Sequence, residues 1–252
     1  EVNATLPAVP AELVPEILSR YRGCRTVKVK VAEPGHNLDD DIARVAAARA
    51  FVGDSGRVRI DANMNWSVEN AQDALVALAP YRLEYAEQPC RTVPELAALR
   101  ARLADLRLDI PIAADESVRK ASDPLAVARA GAADLLVIKA QPLGGITAAL
   151  RIVRDAGLPV VVSSAIDTSV GLSMGAYLAA SVPSLPYACG LGTAAMLTSD
   201  VTREPLLPVG GGIDVRRVDV DVDLLRAAAA PDARREWWLA RLRACYAVLA
   251  AR

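Results

Sequence analysis

Residues 57–79 read RVRIDANMNWSVENAQDALVALA and contain the two local patterns that decide the fold. Residues 57–61 are a short run with β-branched residues and a terminal acid, whereas residues 67–79 are rich in Ala and Leu, as helices are. Ser67, followed three residues later by Asn70, is a suitable N-cap for that helix. The stretch therefore predicts one strand and one helix joined by a short loop.

The same alternation recurs along the chain at roughly the 30-residue size of a βα unit. We predict eight strands, at residues 2–6, 26–31, 57–61, 83–87, 112–115, 135–139, 160–163 and 187–189. Helices are predicted between them, for example at 38–52, 67–79, 93–107, 124–130, 145–156 and 168–181. Eight units of this kind favour a closed (β/α)8 barrel of the TIM type over an open sheet, because closure leaves no edge strand.

The length and composition fit one barrel followed by a tail. A chain of 252 residues with 53% hydrophobic content can bury a single large core. We assign residues 1–214 to the barrel and residues 215–252 to a C-terminal tail. The tail includes a predicted helix at 232–250 with Trp237 and Trp238, which we expect to pack on the barrel or on a capping domain.

Charge and cysteine content narrow the class of partner. The formal net charge of -1 comes from mixed acidic and basic residues, so nucleic acid and membranes are not expected partners and a small molecule is. No apolar run approaches the roughly 20 residues of a membrane helix. Cys24, Cys90, Cys189 and Cys245 form no CxxC pair, which is typical of reduced thiols and a cytoplasmic location. The sequence leaves the oligomeric state open.

Three of the predicted strands end in an acid: Asp61 in RVRID, Glu87 in LEYAE and Asp115 in PIAAD. Barrel enzymes place their functional groups at the carboxyl ends of strands, and successive strands bring these ends close together. Three carboxylates suit Mg²⁺ or Mn²⁺ and, without nearby Cys or His, argue against zinc. For any one acid alone, capping the next helix or pairing with an Arg remains an alternative.

Three lysines accompany these acids. Lys28 and Lys30 lie two apart in TVKVKV, so both point to the same side of their strand, while Lys139 ends DLLVIK four strands further on. In an eight-stranded ring Lys139 then faces Lys30 across the metal. This arrangement suits removal of a proton beside a metal-bound carboxylate, with Lys30 as the base and Lys28 as a cation that favours its neutral form. Alternatively, VKVKV is an edge strand with solvated lysines.

The motifs KVK (28–30), DAN (61–63), EQP (87–89), ADES (114–117) and IKAQPLGG (138–145) resemble those of the enolase superfamily. Within it, they resemble the o-succinylbenzoate synthase branch of the muconate-lactonizing-enzyme-like subgroup. The segments VNATLPA (2–8) and VVSSAIDTSVGL (161–172) are also similar to that branch. The resemblance covers essentially the whole chain.

The resemblance implies a metal-dependent syn-dehydration of 2-succinyl-6-hydroxy-2,4-cyclohexadiene-1-carboxylate to 2-succinylbenzoate in menaquinone biosynthesis. In this family Lys30 would remove the α-proton and then protonate the departing hydroxyl on the same face. Lys139 would remain cationic on the opposite face and stabilise the enediolate. Superfamily members also carry an N-terminal capping domain, which we expect to be absent here because the chain starts directly at the first strand.

Further residues near these motifs are candidates for substrate binding or for support of the site. Asn63 and Arg59 alternate with Asp61 and could orient it, although Arg59 could equally fill the barrel interior. Ser163 and Ser164 end the seventh predicted strand and could bind a substrate carboxylate or cap the next helix. Glu116 and Gln88 follow predicted metal ligands and could support them, whereas His36, in a polar loop, is expected to be solvated.

The sequence leaves three alternative functions to be considered. An N-succinylamino acid racemase or dipeptide epimerase uses the same two lysines to exchange an α-proton from either face. A Schiff-base aldolase, an enzyme of another class, would use Lys139 and no metal. A barrel that serves only in binding or assembly is disfavoured by the presence of both lysines and all three acids.

Overall fold

The computed structural model describes residues 1–251 and contains a seven-stranded, wholly parallel sheet in which the strands follow sequence order. The strands are β1 (Ala4–Leu6), β2 (Thr26–Lys30), β3 (Arg57–Asp61), β4 (Leu83–Glu87), β5 (Ile112–Ala114), β6 (Leu135–Ile138) and β7 (Val160–Val162). The predicted α/β class and the parallel sheet are confirmed. Four strands end one residue earlier than predicted, so Asp115 and Lys139 follow their strands directly.

The strand predicted at 187–189 is not a regular strand. Instead, Cys189 forms an isolated parallel bridge with Val2, and Gly190 forms another with Ser163. The segment around Cys189 therefore contacts both edges of the sheet, next to β1 and next to β7. Sequence alone placed this segment correctly but overestimated how regular its pairing is.

Helices follow the strands, as predicted. They are α1 (Val14–Leu18), α2 (Leu38–Val52), α3 (Val68–Leu78), α4 (Val93–Asp105), α5 (Glu116–Arg119), α6 (Ala126–Arg129), α7 (Ile146–Ala156), α8 (Ser169–Ser181), α9 (Val222–Ala227) and α10 (Asp232–Ala250). Short 3-10 turns occur at Ala11–Leu13, Ala79–Tyr81 and Thr193–Met196. The sequence did not predict α1, α5 or α9.

Side-chain caps fix where two of these helices begin. The Ser67 side chain accepts a hydrogen bond from the Asn70 N–H at 3.1 Å, which confirms the predicted cap of α3. Thr92 and Glu95 form a reciprocal capping box at the start of α4. Such caps satisfy N–H groups at the helix start that have no partner within the helix. They also keep the loops after β3 and β4 short, at the edge of the sheet where the acids lie.

The sheet is buried on both faces. The face toward the helices carries residues such as Val27 and Val29 of β2, each at most 1% exposed. On the opposite face a smaller apolar cluster fills the inside of the curled sheet, formed by Tyr85, Ala113, Leu135, Val137 and Val161. Because side chains alternate along a strand, Lys28 and Lys30 lie on the same face as each other and opposite to the valines.

The tail forms the predicted terminal helix, α10. None of its described residues is buried, and Trp237 and Trp238 are 49% and 55% exposed while their rings meet edge to face. The boundary between residues 214 and 215, and the packing of α10 on the barrel or on a capping domain, stay predictions. Among residues 1–251, every helix is too short or too polar to cross a bilayer.

Candidate active site

The register of the strands brings the predicted acids to one edge of the sheet. Lys30 pairs with Asp61 across β2 and β3, and Asp61 pairs with Glu87 across β3 and β4. Asp115 follows β5 directly, and all three carboxylates are at most 1% exposed. Three buried acids thus occupy adjacent positions at the carboxyl end of the sheet, where sequence placed them.

Lys28 forms ion pairs with two of these acids, Asp61 and Glu87. Its Nζ donates to both oxygens of Glu87, at 3.0 and 3.1 Å, and lies 3.3 Å from Asp61 Oδ2. The lysine is buried, with 7% of its surface exposed. A buried ammonium shared by two carboxylates offsets part of their mutual repulsion and draws their oxygens together.

Lys30 is held at the mouth of the site. Its Nζ donates to Asp61 Oδ2 at 2.5 Å and to Asn63 Oδ1 at 2.6 Å. Its side chain is 25% exposed, against 9% for that of Lys28. Of these two lysines on β2, Lys30 is therefore the one that a molecule entering from solvent would contact more readily.

Lys139 binds the third acid. Its Nζ donates to Asp115 Oδ2 at 2.6 Å, and Arg119 Nε donates to Asp115 Oδ1 at 2.9 Å. Both oxygens of this fully buried carboxylate are thus bonded to cations. Asp115 therefore lies between two basic side chains, Lys139 and Arg119.

Burial and neighbouring charge act against each other on these groups. Burial alone would lower the pKa of Lys28, but the charges of Glu87 and Asp61 outweigh it and raise that pKa. Burial alone would raise the pKa of Asp61, but Lys28 and Lys30 outweigh it and hold that pKa below its usual range. Glu87 differs from Asp61, because burial and the charge of Asp61 raise its pKa to about 7.

In the metal-free protein each of the three acids is paired with at least one lysine. Oxygen ligands from three carboxylates match what Mg²⁺ or Mn²⁺ requires, so the donor chemistry fits a hard divalent cation. In the arrangement described for residues 1–251, no three His, Cys, Asp or Glu groups are positioned to hold a metal ion. The ammonium and guanidinium groups lie on the carboxylate oxygens that a metal would need.

A cavity of about 510 Å³ opens above the acids. Residues from several strand ends and the loops after them line it: Thr5, Pro7, Ala8, Lys28, Lys30, Glu33, Asp61, Asn63, Arg119, Lys139, Ser163, Ser164, Ala165, Ile166, Gly190, Thr193 and Met196. All three predicted lysines are in this lining, together with both predicted serines. Glu87 and Asp115 lie outside the lining, buried with the ion pairs below it.

The serine side of the cavity is uncharged. Ser164 Oγ donates to the carbonyl of Gly190 at 2.8 Å and lies 2.8 Å from Thr193 Oγ1. Ser163 is buried beside Gly190, where an added Cβ would come within 2.4 Å of Ser163 Oγ. Only glycine fits at position 190 without displacing Ser163, so this part of the wall requires a small residue.

The structure does not bring Arg59 to the cavity. Arg59 is fully buried and pairs with Glu84, while its Nη1 donates to Tyr85 Oη and to the Ala188 carbonyl, each at 2.9 Å. These contacts match the interpretation that Arg59 fills the interior of the sheet. Its link to the site is indirect, through packing beneath the layer of acids.

Glu116 and Gln88 support the site from behind. Glu116 Oε1 accepts from Arg119 Nη2 at 2.7 Å and from Asn63 Nδ2 at 3.3 Å. Gln88 Oε1 accepts from the backbone N–H groups of Asp115, at 2.9 Å, and Ser117, at 3.1 Å. Gln88 thereby fixes the loop that carries Asp115.

His36 lies away from these groups. It is exposed, its Nδ1 is 3.0 Å from Arg44 Nη2, and it lines a different cavity, of about 540 Å³, together with Asp73 and Trp66. None of the predicted lysines or metal ligands lines that cavity. This placement agrees with the expectation that His36 is not part of the site.

Sequence reasoning missed Arg119 and Thr193. Arg119 lies four residues after Asp115, a spacing that brings two side chains together only if the intervening residues are helical. The helix there, α5, has just four residues and was not predicted. Thr193 follows the irregular segment at Cys189 and Gly190, so no strand pattern indicated its position.

Comparison with known proteins now adds to this geometry. Residues 12–218 match the family described as enolase C-terminal domain-like. The o-succinylbenzoate synthases of Mycobacterium leprae and Mycolicibacterium smegmatis are 55% and 54% identical over 249 residues, 98% of this chain and 72% and 75% of theirs. The chain belongs to the o-succinylbenzoate synthase family. It is accordingly a lyase of the enolase superfamily, as predicted.

Solved structures agree with this family. The muconate lactonizing enzyme from Pseudomonas putida matches with a TM-score of 0.77 and 25% identity, over 91% of this chain and 66% of that enzyme. Muconate cycloisomerase from Pseudomonas fluorescens also has a TM-score of 0.77 and 25% identity, over 90% of this chain and 64% of that enzyme. The chain thus spans slightly less than two thirds of these structural relatives. Membership of the synthase family favours dehydration over the Schiff-base aldolase that Lys139 alone would allow.

Proposed function

We propose that this protein catalyses the dehydration of 2-succinyl-6-hydroxy-2,4-cyclohexadiene-1-carboxylate to 2-succinylbenzoate in menaquinone biosynthesis. The main support is that Lys30 and Lys139, each bonded to a buried carboxylate, line a single cavity. We also propose that β1 to β7 and the segment at Cys189 make up a complete (β/α)8 barrel.

The metal in this proposal is Mg²⁺, or alternatively Mn²⁺, held by Asp61, Glu87 and Asp115. When bound, the cation stabilises the negative charge that develops on the substrate carboxylate as the α-proton leaves. Support comes from the burial of the three acids and their adjacent register.

Lys30 is the proposed base and acid. Its neutral Nζ takes the proton from the carbon next to the substrate carboxylate, and the electrons of that C–H bond delocalise into an enediolate. The resulting ammonium then gives its proton to the hydroxyl group that leaves on the same face. Water departs, the ring becomes aromatic, and Lys30 returns to its neutral form.

Lys28 and Lys139 act through their charge. Lys28, paired with Glu87 and Asp61, places a fixed positive charge near Lys30. Lys139, paired with Asp115, would remain an ammonium and stabilise the enediolate and the ring from the opposite face. This division of roles needs only one lysine to exchange protons.

Ser163 and Ser164 are proposed to bind a carboxylate of the substrate. Both line the cavity, and the side of the cavity that they form with Thr193 is uncharged. Hydroxyl groups can donate to a carboxylate without competing with the metal for it. Asn63 and Glu116 are proposed to support Lys30 from behind, through the hydrogen bonds described above.

A second candidate activity is that of an N-succinylamino acid racemase or dipeptide epimerase. The observation that favours it is the presence of two lysines in the lining of one cavity, since a racemase needs a base on each face. In both cases the partner is a small-molecule carboxylate. We propose a cytoplasmic location, supported by the four cysteines, all of which are free.

An assay with the cyclohexadiene substrate tests the main proposal. The full-length protein is incubated with this substrate and Mg²⁺, with Mn²⁺ or with EDTA, and the aromatic product is followed by its ultraviolet absorbance. We expect 2-succinylbenzoate to form with either cation and to stop forming in EDTA. Formation at the same rate in EDTA would contradict the metal site, and no product with either cation would contradict the reaction.

A further inference from the structure

Arg119 contacts two acids at once. Its Nε donates to Asp115 Oδ1 at 2.9 Å and its Nη2 donates to Glu116 Oε1 at 2.7 Å, while the side chain remains 23% exposed and lines the cavity. The planar guanidinium group thus links a predicted metal ligand to the residue that follows it. A planar donor pair of this kind fixes direction as well as charge.

The same contacts continue to the other side of the site. Glu116 Oε1 also accepts from Asn63 Nδ2 at 3.3 Å, and Asn63 Oδ1 accepts from Lys30 Nζ at 2.6 Å. On the near side, Asp115 Oδ2 accepts from Lys139 at 2.6 Å. Arg119 is therefore in the middle of a hydrogen-bonded chain whose two ends are the lysines of the proposed mechanism.

We propose that Arg119 is a positioning residue that orients Asp115 for the divalent cation and, through Glu116 and Asn63, holds Lys30 in place. This inference rests on the metal site of the proposed function. Arg119 holds Oδ1 of Asp115, which sets the direction in which Oδ2 points. Hydrogen bonds to ligating carboxylates commonly fix their orientation in metal sites.

The buried carboxylate of Glu116 depends on Arg119 for its counter-charge. It is 4% exposed, and within residues 1–251 its Oε2 has no hydrogen-bond partner. Its Oε1 bonds are to Arg119 and, at a longer distance, to Asn63. Without the guanidinium group, the carboxylate of Glu116 would lose its counter-charge while buried, and it would be expected to shift away from Asn63.

The charge of Arg119 and its orienting hydrogen bonds have opposite effects on the binding of a cation by Asp115. Removing a positive charge beside Asp115 makes the site more negative and should tighten the binding of a cation. Loss of orientation should weaken it, and outer hydrogen-bond partners of metal ligands typically contribute about 10-fold to 100-fold in affinity. The sign of the change therefore separates a positioning role from mere competition between Arg119 and the metal.

The test is calorimetric titration of the full-length protein with Mg²⁺ in the absence of substrate. We compare the parent with Arg119→Met, which lacks the charge, and Arg119→Lys, which keeps the charge but loses the planar donor pair. Arg129→Met is the control, because Arg129, on α6, forms an exposed pair with Asp123 and lies outside the cavity lining. We expect Mg²⁺ binding about 10-fold weaker or more in Arg119→Met, weaker by less in Arg119→Lys, and unchanged in Arg129→Met.

Steady-state kinetics at saturating Mg²⁺ give a second readout. Arg119 acts through Asp115 and Glu116, so kcat should fall in Arg119→Lys while KM changes little. Equal or tighter Mg²⁺ binding by Arg119→Met, or by Arg119→Lys if the Met variant does not fold, would overturn the inference. Failure of the parent itself to bind Mg²⁺ would instead overturn the proposed metal site, and the inference with it.

Discussion

The two sides of the cavity differ in the kind of group that they present. Strands β2 to β6 and the residues directly after them supply charged groups, all of them buried except Lys30: Lys28, Lys30, Asp61, Glu87, Asp115 and Lys139. The side formed after β7 and around residue 190 presents small or hydroxyl-bearing residues, namely Ser163, Ser164, Gly190 and Thr193. On the charged side each group has a counter-charge, so its loss leaves a buried charge unpaired. On the uncharged side a truncation removes about one ordinary hydrogen bond.

The largest effect that this comparison predicts is for Lys30→Ala. Because Lys30 is the proposed base and acid, dehydration should fall by about 10⁴-fold or to the detection limit. The rate of product formation at saturating Mg²⁺ measures this loss, and circular dichroism confirms that the variant is folded. Activity within about tenfold of the parent would rule out Lys30 as the base.

Lys139 should show a smaller loss that depends on charge. Lys139→Ala is expected to lose about 10²–10³-fold in kcat, the range seen when one charge-stabilising donor is removed. Lys139→Arg should keep part of the dehydration because its charge remains, but it should not racemise an N-succinylamino acid, since Arg cannot act as a base near neutral pH. Exchange of the α-hydrogen in D₂O separates the two activities.

Equal and complete loss of dehydration in both Lys139 variants, with Mg²⁺ binding intact, would contradict a purely electrostatic role. Exchange of both enantiomers by the parent at similar rates would favour two bases and hence the racemase alternative. Lys30→Arg is the matched variant for the other face, and it should lose both dehydration and exchange.

The third prediction concerns the stability of the metal-free protein. Burial and the charge of Asp61 raise the pKa of Glu87 from 4.5 to about 7, so the folded state keeps a proton that the unfolded chain releases. The stabilising contribution of this proton is complete below about pH 4.5 and is lost as the pH rises through 7. In EDTA, Glu87→Gln should therefore lose less thermal stability than the parent between about pH 5 and pH 8.

The expected difference in Tm is a few degrees, because about 1 kcal/mol shifts the Tm of a domain of this size by roughly 2–4 °C. Thermal melts followed by circular dichroism measure it. Glu95→Gln, at the exposed cap of α4, is the control and should follow the parent. Parallel pH profiles for Glu87→Gln and the parent would contradict the proton on Glu87.

The smallest effect is expected on the uncharged side. Ser164→Ala removes the hydrogen bonds to Gly190 and Thr193 but leaves no buried charge. We expect KM to rise by less than about tenfold, with kcat nearly unchanged, because one neutral hydrogen bond contributes roughly 1 kcal/mol. Initial rates over a range of substrate concentrations test this. A loss as large as that of Lys139→Ala would remove the distinction between the two sides.

Much of the charged side could be predicted from sequence because most of its residues end a strand or follow one directly. Asp61 and Glu87 terminate runs whose type and length identify β3 and β4 correctly. Parallel strands in sequence order then place their ends side by side, as the pairing of Asp61 with Glu87 confirms. The roles of these residues in catalysis and metal binding stay predictions.

The features that the sequence did not predict depend on tertiary contacts, which a local sequence pattern does not encode. Arg59 alternates with Asp61 as a site residue would, but the contacts of Glu84 and Tyr85 hold it in the interior. Arg119 could not be placed near Asp115 from sequence, because α5 has only four residues and gives no periodic pattern. The irregular pairing at Cys189 follows from its contacts with both sheet edges rather than from its own residues.

The isolated bridges at Cys189 and Gly190 affect the order in which the backbone hydrogen bonds of the sheet open to solvent. The Asn3 N–H donates to Cys189 O at 2.9 Å, and the Gly190 N–H donates to Val162 O at 2.8 Å, but residues 189 and 190 form only isolated bridges. Forming these hydrogen bonds requires the first and last parts of the sheet to meet. Of all contacts in the sheet, this one has the largest entropy cost of loop closure. Amide exchange with deuterated solvent should consequently begin there, before the interior strands β2 to β6 open.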